Sequence, residues 1–170
     1  MATDAIRHRP AGPRQLQEQD GFGRTADRKT QKELIDSLEV PTAKWLNVES
    51  GTDAAQCYAT LGETVLLKRR SGGYDGRGQL WLRQSENDTL PEEWKNCAIA
   101  EEKCPFEEEV SLVGARTDSG DLVFYPLTRN LHVNGILMAS IAPLQRLRHL
   151  QDQAETMLGA ILNELQYVGV

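Results

Sequence analysis

The segment LLKRRSGGYDGRGQ at 66–79 has the clearest chemical potential in this chain. Lys68 ends an apolar run that is typical of a buried strand, and a glycine-rich loop follows it. Glycines allow positive φ angles and close backbone approach, so successive N–H groups of such a loop can hold phosphate oxygens. Lys68 adds a point charge, and Arg77 adds a planar fork of donors. The pattern indicates either a phosphate-binding loop or a glycine-rich surface hairpin without a ligand.

Acidic residues beyond the loop form a second group of candidates. Residues 101–104 (EEKC) follow a predicted strand, and the end of a strand can present backbone N–H and C=O groups to an adenine edge. Glu109 can accept hydrogen bonds from ribose hydroxyls, although the run 107–109 is more typical of a solvated acidic turn, since close carboxylates repel one another. His132, in LTRNLH, is by its pattern more typical of a satisfied surface or core histidine than of a ligand.

The composition is that of an ordinary globular chain, with 170 residues, 39% hydrophobic, 26% charged and a formal net charge of −6. This acidic balance argues against nucleic acid as a partner, because phosphate neutralisation needs an excess of Lys and Arg. No apolar run approaches the ~18 residues that span a bilayer, and we find no secretory signal. Cys57, Cys97 and Cys104 show no C-x-x-C spacing, which indicates free thiols. We therefore expect a cytoplasmic protein that binds neither nucleic acid nor membrane.

The hydrophobic periodicity predicts an α+β fold with mostly antiparallel strands. Thr25 or Asp27 can cap a helix that carries Leu34 and Ile35 on one face and ends at Pro41. The other predicted elements are a strand at 42–48, a helix at 52–61, strands at 64–68 and 79–83, a helical turn at 91–96, a strand at 97–100, two strands at 109–115 and 121–127 joined by a turn, a strand within 135–141 and a long helix after 143.

Several segments become specific when they are taken together and in order. They are ADRKTQKELIDSLEVPTA, KRRSGGYDGRGQ, EEEVSLVGAR, FYPLTRNLH with NGIL after it, and a helix that ends in ELQYVGV. They resemble the 5-(carboxyamino)imidazole ribonucleotide synthase family of ATP-grasp ligases over about residues 25–170. The resemblance implies an incomplete ATP-grasp fold, with a linker helix at 23–43, a lid lobe at 44–104 and the first part of the C-terminal ATP-grasp lobe at 105–170. Residues 1–22 match nothing in the family and are expected to be a disordered leader.

The resemblance also implies a function. Members of this family use ATP and bicarbonate to carboxylate 5-aminoimidazole ribonucleotide in purine biosynthesis, and they release ADP and phosphate after a carboxyphosphate intermediate. The implied cofactors are ATP and Mg²⁺, the implied partners are these small molecules, and the intact family forms homodimers. Such catalysis rests mainly on neutralising and positioning phosphoryl oxygens.

Site residues follow from the resemblance position by position. Those that it assigns to nucleotide binding are Arg28 and Lys68 at the phosphates, Gly73, Tyr74, Asp75, Gly76, Arg77, Gly78 and Gln79 in the loop over them, Glu101, Glu102, Lys103 and Cys104 in the hinge strand at the adenine, Glu109 at the ribose and His132 as a further contact. Tyr74, Asp75 and Arg77 would also hold the ribonucleotide substrate. The resemblance thus favours a ligand-binding role for Glu109 and His132 over a solvated turn and a satisfied surface or core histidine.

Two departures from the family limit what is expected of this chain. Residues 1–22 stand where the family has a nucleotide-fold domain, and the family's Mg²⁺-holding acids would follow Val170. We accordingly assign no metal ligand and no catalytic residue, and we expect the isolated chain to be inactive. The alternatives are a noncatalytic ATP-binding fragment, one half of a split gene that a second chain completes, and a nonfunctional remnant. A sheet that stopped after Tyr167 would also leave an apolar edge that favours association.

Overall fold

The computed structural model of the chain describes residues 25–72, 78–133 and 136–170. In these ranges the helices are α1 (Arg28–Ser37), α2 (Ala54–Leu61) and α3 (Gln151–Glu164). The strands are β1 (Trp45–Val48), β2 (Thr64–Arg69), β3 (Gln79–Arg83), β4 (Ala98–Glu102), β5 (Glu109–Ser111), β6 (Gly114–Arg116), β7 (Leu122–Phe124), β8 (Thr128–Val133) and β9 (Ile136–Ile141). Short 3₁₀ helices cover Gln84–Glu86, Glu92–Trp94 and Gln145–Leu150. The α+β class is confirmed, and the expected leader at 1–22 lies outside the described residues.

The first sheet contains β1, β4, β2 and β3 in this order, each antiparallel to its neighbour. Successive side chains of a strand point to opposite faces, so each strand contributes to both sides of the sheet. Val65 and Leu67 of β2 and Ala98 and Ala100 of β4 are fully buried on one face, where Cys57 of α2 packs with them. This face is the hydrophobic core of the first half of the chain.

The helix α1 begins where the sequence predicted, with Asp27 rather than Thr25 as its N-cap. The Asp27 carboxylate accepts hydrogen bonds from the N–H groups of Lys29 at 2.7 Å and Thr30 at 3.4 Å. Arg70 Nη2 lies 2.7 Å from Asp27 Oδ2. Burial alone would raise the pKa of Asp27, but these hydrogen bonds outweigh it and hold the pKa below the ordinary 3.8. The cap therefore ties the first turn of α1 to the residue that follows β2.

The stretch 109–115 forms two strands, and the prediction of a single strand there is wrong. β5 pairs with β8, and β8 pairs with β9, in a three-stranded antiparallel sheet. β6 instead forms a two-stranded hairpin with β7. An apolar, β-branched run indicates only that a segment is extended, whereas the choice of its partner strand depends on contacts far along the chain. The strand β8, which pairs with both β5 and β9, was not predicted.

Other boundaries shift by a few residues. The helical turn predicted at 91–96 is a 3₁₀ helix over Glu92–Trp94, and Pro91 precedes that helix. The strand β4 begins at Ala98 and extends to Glu102, so the first two residues of the EEKC segment lie inside the strand. The long helix predicted after 143 begins with the 3₁₀ turn Gln145–Leu150 and continues as α3.

The hairpin of β6 and β7 packs closely on α3 at Gly114. A Cβ atom at this position would lie 2.8 Å from Phe124 Cδ1 and 2.9 Å from Leu158 Cδ2, so only glycine fits without a shift of its neighbours. After α3, Gly169 and Arg116 exchange two backbone hydrogen bonds of 3.0 Å. The segment after α3 thus pairs with β6 through a single bridge at Gly169.

The cysteines agree with the sequence analysis. All three are free, and burial raises the pKa of the Cys57 thiol to about 11. The helices in the described part of the chain are too short or too polar to cross a membrane.

Candidate functional site

A cavity of about 170 Å³ lies between α1 and the face of the first sheet that is opposite the core. Its charged lining residues are Arg28 and Lys32 of α1, Lys68 of β2 and Glu101 of β4. The register of β2 and β4 brings Lys68 close to Glu101. Glu101 lies opposite Leu66, and Lys68 is two residues further along β2 on the same face. Three residues that the resemblance assigns to nucleotide binding, from three separate segments, thus line one cavity.

Glu101 is the centre of this charged cluster, and only 6% of its surface is exposed. Lys68 Nζ contacts Glu101 Oε2, and Lys32 Nζ lies 2.9 Å from Glu101 Oε1. Burial alone would raise the pKa of Glu101, but the hydrogen bonds and charges of the two lysines outweigh it and lower the pKa below the ordinary 4.5. The carboxylate is therefore ionised at neutral pH, and each of its oxygens has a cationic partner.

Lys32 is a functional candidate that the sequence analysis missed. It is 9% exposed, and lysines are rarely buried unless they are paired. Besides Glu101, its ammonium group contacts Thr42 Oγ1 and lies 3.3 Å from the carbonyl oxygen of Ala43. Its spacing from Arg28 was an available signal, since residues i and i+4 share one face of a helix. The sequence did not show that an acid from β4 would meet this face.

Arg28 lines the cavity and also connects α1 to the loop that follows β2. Its Nη1 donates to the carbonyl oxygens of Arg69 at 2.8 Å and Gly72 at 3.2 Å. Its backbone N–H donates to the carbonyl oxygen of Arg70 at 2.8 Å. The guanidinium group is therefore held by backbone acceptors at the point where the glycine-rich loop begins.

The described ends of the glycine-rich loop lie beside Lys68. Gln79 is opposite Lys68 in the ladder of β2 and β3, and Arg69 N donates to Gly78 O at 2.9 Å. The hairpin expected from the sequence is thus confirmed at both of its ends. The other expected loop contacts, which lie outside the described residues, are Gly73, Tyr74, Asp75, Gly76 and Arg77.

The hinge residues that follow Glu101 have different surroundings. Glu102 Oε1 accepts a hydrogen bond from Lys44 N at 2.8 Å, and Glu102 N donates to Lys44 O at 2.9 Å. Lys103 and Cys104 are exposed and follow β4. The side chain and the backbone N–H of Glu102 thus both hold the chain that precedes β1.

Glu109 and His132 meet in the second sheet. The pairing of β5 with β8 places Glu109 opposite Asn130, and His132 Nδ1 lies 3.5 Å from Glu109 Oε2. Both side chains are partly exposed, so they can still bind hydroxyl groups. The neighbouring Glu108 pairs with Arg146 at 2.6 Å, so the acidic run is not simply a solvated turn.

The charges of the cavity suit an anionic ligand. Three cationic residues, Arg28, Lys32 and Lys68, line the cavity with a single acidic residue, Glu101. Phosphate groups are bound by such a surplus of donors, with lysine acting as a point charge and arginine as a planar fork. Within 25–72, 78–133 and 136–170, no group of three or more His, Cys, Asp or Glu side chains is placed to hold a metal ion.

Comparison with known proteins extends this result. The ATP-grasp domain family matches residues 33–170. The N5-carboxyaminoimidazole ribonucleotide synthase of Escherichia coli (strain K12) is 50% identical over 151 residues, which are 89% of this chain and 42% of that protein. The synthase of the same name from Haemophilus influenzae is 45% identical over 153 residues, with 88% and 42% covered.

A solved structure supports the fold. The N5-carboxyaminoimidazole synthetase from Staphylococcus aureus complexed with ADP matches with a TM-score of 0.74 at 28% sequence identity, over 86% of this chain and 39% of that chain. The chain spans about 42% of the length of the two curated relatives. The resemblance inferred from the sequence segments is confirmed: this chain belongs to the ATP-grasp family, and the two bacterial relatives named above are N5-carboxyaminoimidazole ribonucleotide synthases.

Proposed function

We propose that this chain binds an adenine nucleotide as the ATP-holding part of an ATP-dependent carboxylase of 5-aminoimidazole ribonucleotide. The observation that carries the proposal is the cavity that Arg28, Lys32 and Lys68 line together with one buried carboxylate, that of Glu101. Its surplus of positive charge attracts a polyphosphate, and the glycine-rich hairpin begins and ends beside Lys68. The similar synthetase from Staphylococcus aureus is a complex with ADP, which supports the choice of ligand.

In the proposed reaction of the whole enzyme, a bicarbonate oxygen attacks the γ-phosphorus of ATP, and ADP leaves as carboxyphosphate forms. The amine of the ribonucleotide then attacks the carboxyl carbon, loses a proton and displaces phosphate. The names of the two bacterial relatives support this reaction. The part proposed for this chain is to neutralise phosphate charge and to orient the nucleotide, which are the main sources of catalysis in phosphoryl transfer.

The remaining site assignments belong to the same proposal. The loop at 73–79 would cover the phosphates, with Tyr74, Asp75 and Arg77 also contacting the ribonucleotide. Residues 101–104 would meet the adenine, while Glu109 and His132 would lie on the ribose side. Mg²⁺ would accompany ATP, and we assign none of the described residues to it. The lobes at 44–104 and 105–170, a homodimer and a cytoplasmic location are further parts of the proposal.

Calorimetric titration of ADP into the chain tests the proposal. The wild-type chain should bind, and Lys68→Met should weaken binding by about tenfold or more, because a charge near a phosphate is worth over ~1 kcal/mol at the effective dielectric of a protein surface. Lys95→Met is the matched control, since Lys95 Nζ pairs at 2.8 Å with the exposed Glu92 outside the cavity. A folded chain that takes up no ADP would refute the proposal, and so would equal binding by Lys68→Met.

Nucleotide binding without turnover is a second candidate function. It is favoured because the charged residues of the cavity, Arg28, Lys32, Lys68 and Glu101, are suited to hold phosphate groups, and none of them is assigned a catalytic step. Phosphate release from ATP in the presence of Mg²⁺, bicarbonate and 5-aminoimidazole ribonucleotide distinguishes the two. Binding of ADP without phosphate release favours the binding function, whereas release that depends on the ribonucleotide favours the carboxylase.

A further inference from the structure

We propose that Lys32 is a positioning residue that occupies one oxygen of Glu101 and thereby leaves the charge of Lys68 available to a polyphosphate. This inference rests on the proposed function, because it names a residue that raises the affinity of the same nucleotide site without contacting the nucleotide. Lys32 does not belong to the set of contacts that the resemblance implies, so the inference comes from the cavity itself.

The carboxylate of Glu101 is shared by two lysines. Its two oxygens are divided between two ammonium groups, with Oε1 facing Lys32 at 2.9 Å and Oε2 facing Lys68. Without Lys32, Oε1 would be a buried acceptor that had lost its strongest partner. Glu101 and Lys68 alone would also form a neutral pair, which attracts an anion far less than a free ammonium group does.

The two lysines differ in how far solvent can reach them. The side chain of Lys68 is 25% exposed, whereas that of Lys32 is 11% exposed and that of Glu101 is 8% exposed. Lys68 is therefore the lysine that a ligand can reach more easily. Lys32 is the buried lysine that balances the negative charge of Glu101. Two ammonium groups against one carboxylate leave a net positive charge, and the exposed member presents it.

A purely structural role for Lys32 is the competing interpretation. Its contacts with Thr42 Oγ1 and Ala43 O also hold the segment after α1 against that helix. If Lys32 served only this purpose, its removal would disturb the whole cavity and would affect charged and uncharged ligands alike. An electrostatic role instead predicts a loss that is confined to ligands with phosphate groups.

Binding of ADP and adenosine to full-chain variants separates the two roles. Calorimetry measures the affinity for ADP, and chemical-shift titration measures the weaker affinity that we expect for adenosine. Lys32→Met should weaken ADP binding roughly tenfold, as expected for the loss of one charge near the phosphates. The same variant should leave adenosine binding within about twofold of wild type, since adenosine carries no charge. Lys32→Arg should restore ADP binding to within about threefold, because it keeps the charge.

Control variants keep the test sharp. Lys29→Met removes a lysine from the same helix whose ammonium group pairs at 2.9 Å with exposed Glu33, and it should bind ADP as wild type does. If Lys32→Met does not fold, Lys32→Gln takes its place, since glutamine can still donate to Glu101 while lacking the charge.

The outcomes distinguish this inference from the proposed function. If wild type binds ADP and Lys68→Met weakens it while the neutral Lys32 variant binds like wild type, only the inference fails. Equal losses of ADP and adenosine binding in the neutral Lys32 variant would establish the structural role instead. If folded wild type binds no ADP, the proposed function fails and the inference with it.

Discussion

Glu101 places a buried carboxylate between two ammonium groups, and both of its oxygens are used. Removing one member of a buried charge cluster is costly because the others lose their compensation. We expect Glu101→Gln to lower the free energy of unfolding by roughly 3 kcal/mol, measured by urea denaturation. Glu102→Gln is the control, since the half-buried Glu102 carboxylate accepts one backbone N–H and its loss should cost about 1 kcal/mol or less. Equal losses in the two variants would contradict the assignment of Glu101 as the centre of the cluster.

The same residue predicts how stability depends on pH. The folded-state pKa of Glu101 is lowered from 4.5, so the unfolded chain binds the proton first as pH falls. The stability that Glu101 contributes is therefore complete above 4.5 and is lost as pH falls through the folded-state pKa. The difference in unfolding free energy between wild type and Glu101→Gln should be largest at neutral pH and shrink on acidification. A difference that grew on acidification would show the opposite linkage.

At the scale of elements, the hairpin of β6 and β7 depends on Gly114 for its approach to α3. A methyl group there would meet Phe124 and Leu158 at 2.8 and 2.9 Å. We expect Gly114→Ala to lower the free energy of unfolding by about 1–3 kcal/mol, as overpacked positions do. Gly51→Ala is the matched control, because nothing lies within 4 Å of a Cβ atom built there. Similar stability of the two variants, measured by thermal melts, would show that the hairpin shifts away from α3 at little cost.

The elements also show what the sequence could predict. The strand at 79–83 and the N-cap Asp27 agree with the structure because alternation and capping are local properties of the chain. The stretch 109–115 was misread because its division between two sheets depends on β8, which lies further along the chain. The cavity could not be predicted for the same reason. Lys32 is a candidate because Glu101, far along the chain in β4, contacts it.

At the scale of the whole molecule, the two halves of the chain differ in how they bury apolar residues. The core cluster of Val48, Val65, Leu67 and their neighbours belongs to the first sheet and α2. In the second half, Ile136, Leu137 and Met138 of β9 are 65%, 52% and 65% exposed. Among the residues that the structure describes, β9 pairs with a strand on one side only, β8. An exposed apolar edge strand is a template for pairing with another chain.

We therefore expect the chain to self-associate at tens of micromolar, measured by size exclusion with light scattering. Met138→Lys should increase the monomeric fraction without lowering the melting temperature, because a charged residue on an edge strand opposes pairing. Ala59→Lys adds the same charge to an exposed position of α2 and should leave the association unchanged. A wild-type chain that stays monomeric at these concentrations would contradict the prediction.

The alternation of side chains along β2 and β4 has a consequence for how this chain tolerates mutation. Val65 and Leu67 belong to the core, while Lys68 in the same strand belongs to the cavity on the opposite face. Point substitutions can therefore change the ligand side and leave the packing side intact. Deletion of one residue within β2 would instead exchange the two sets, placing an ammonium group in the core and an alkyl group in the cavity. This part of the chain can diverge by replacement, but not by a shift in length.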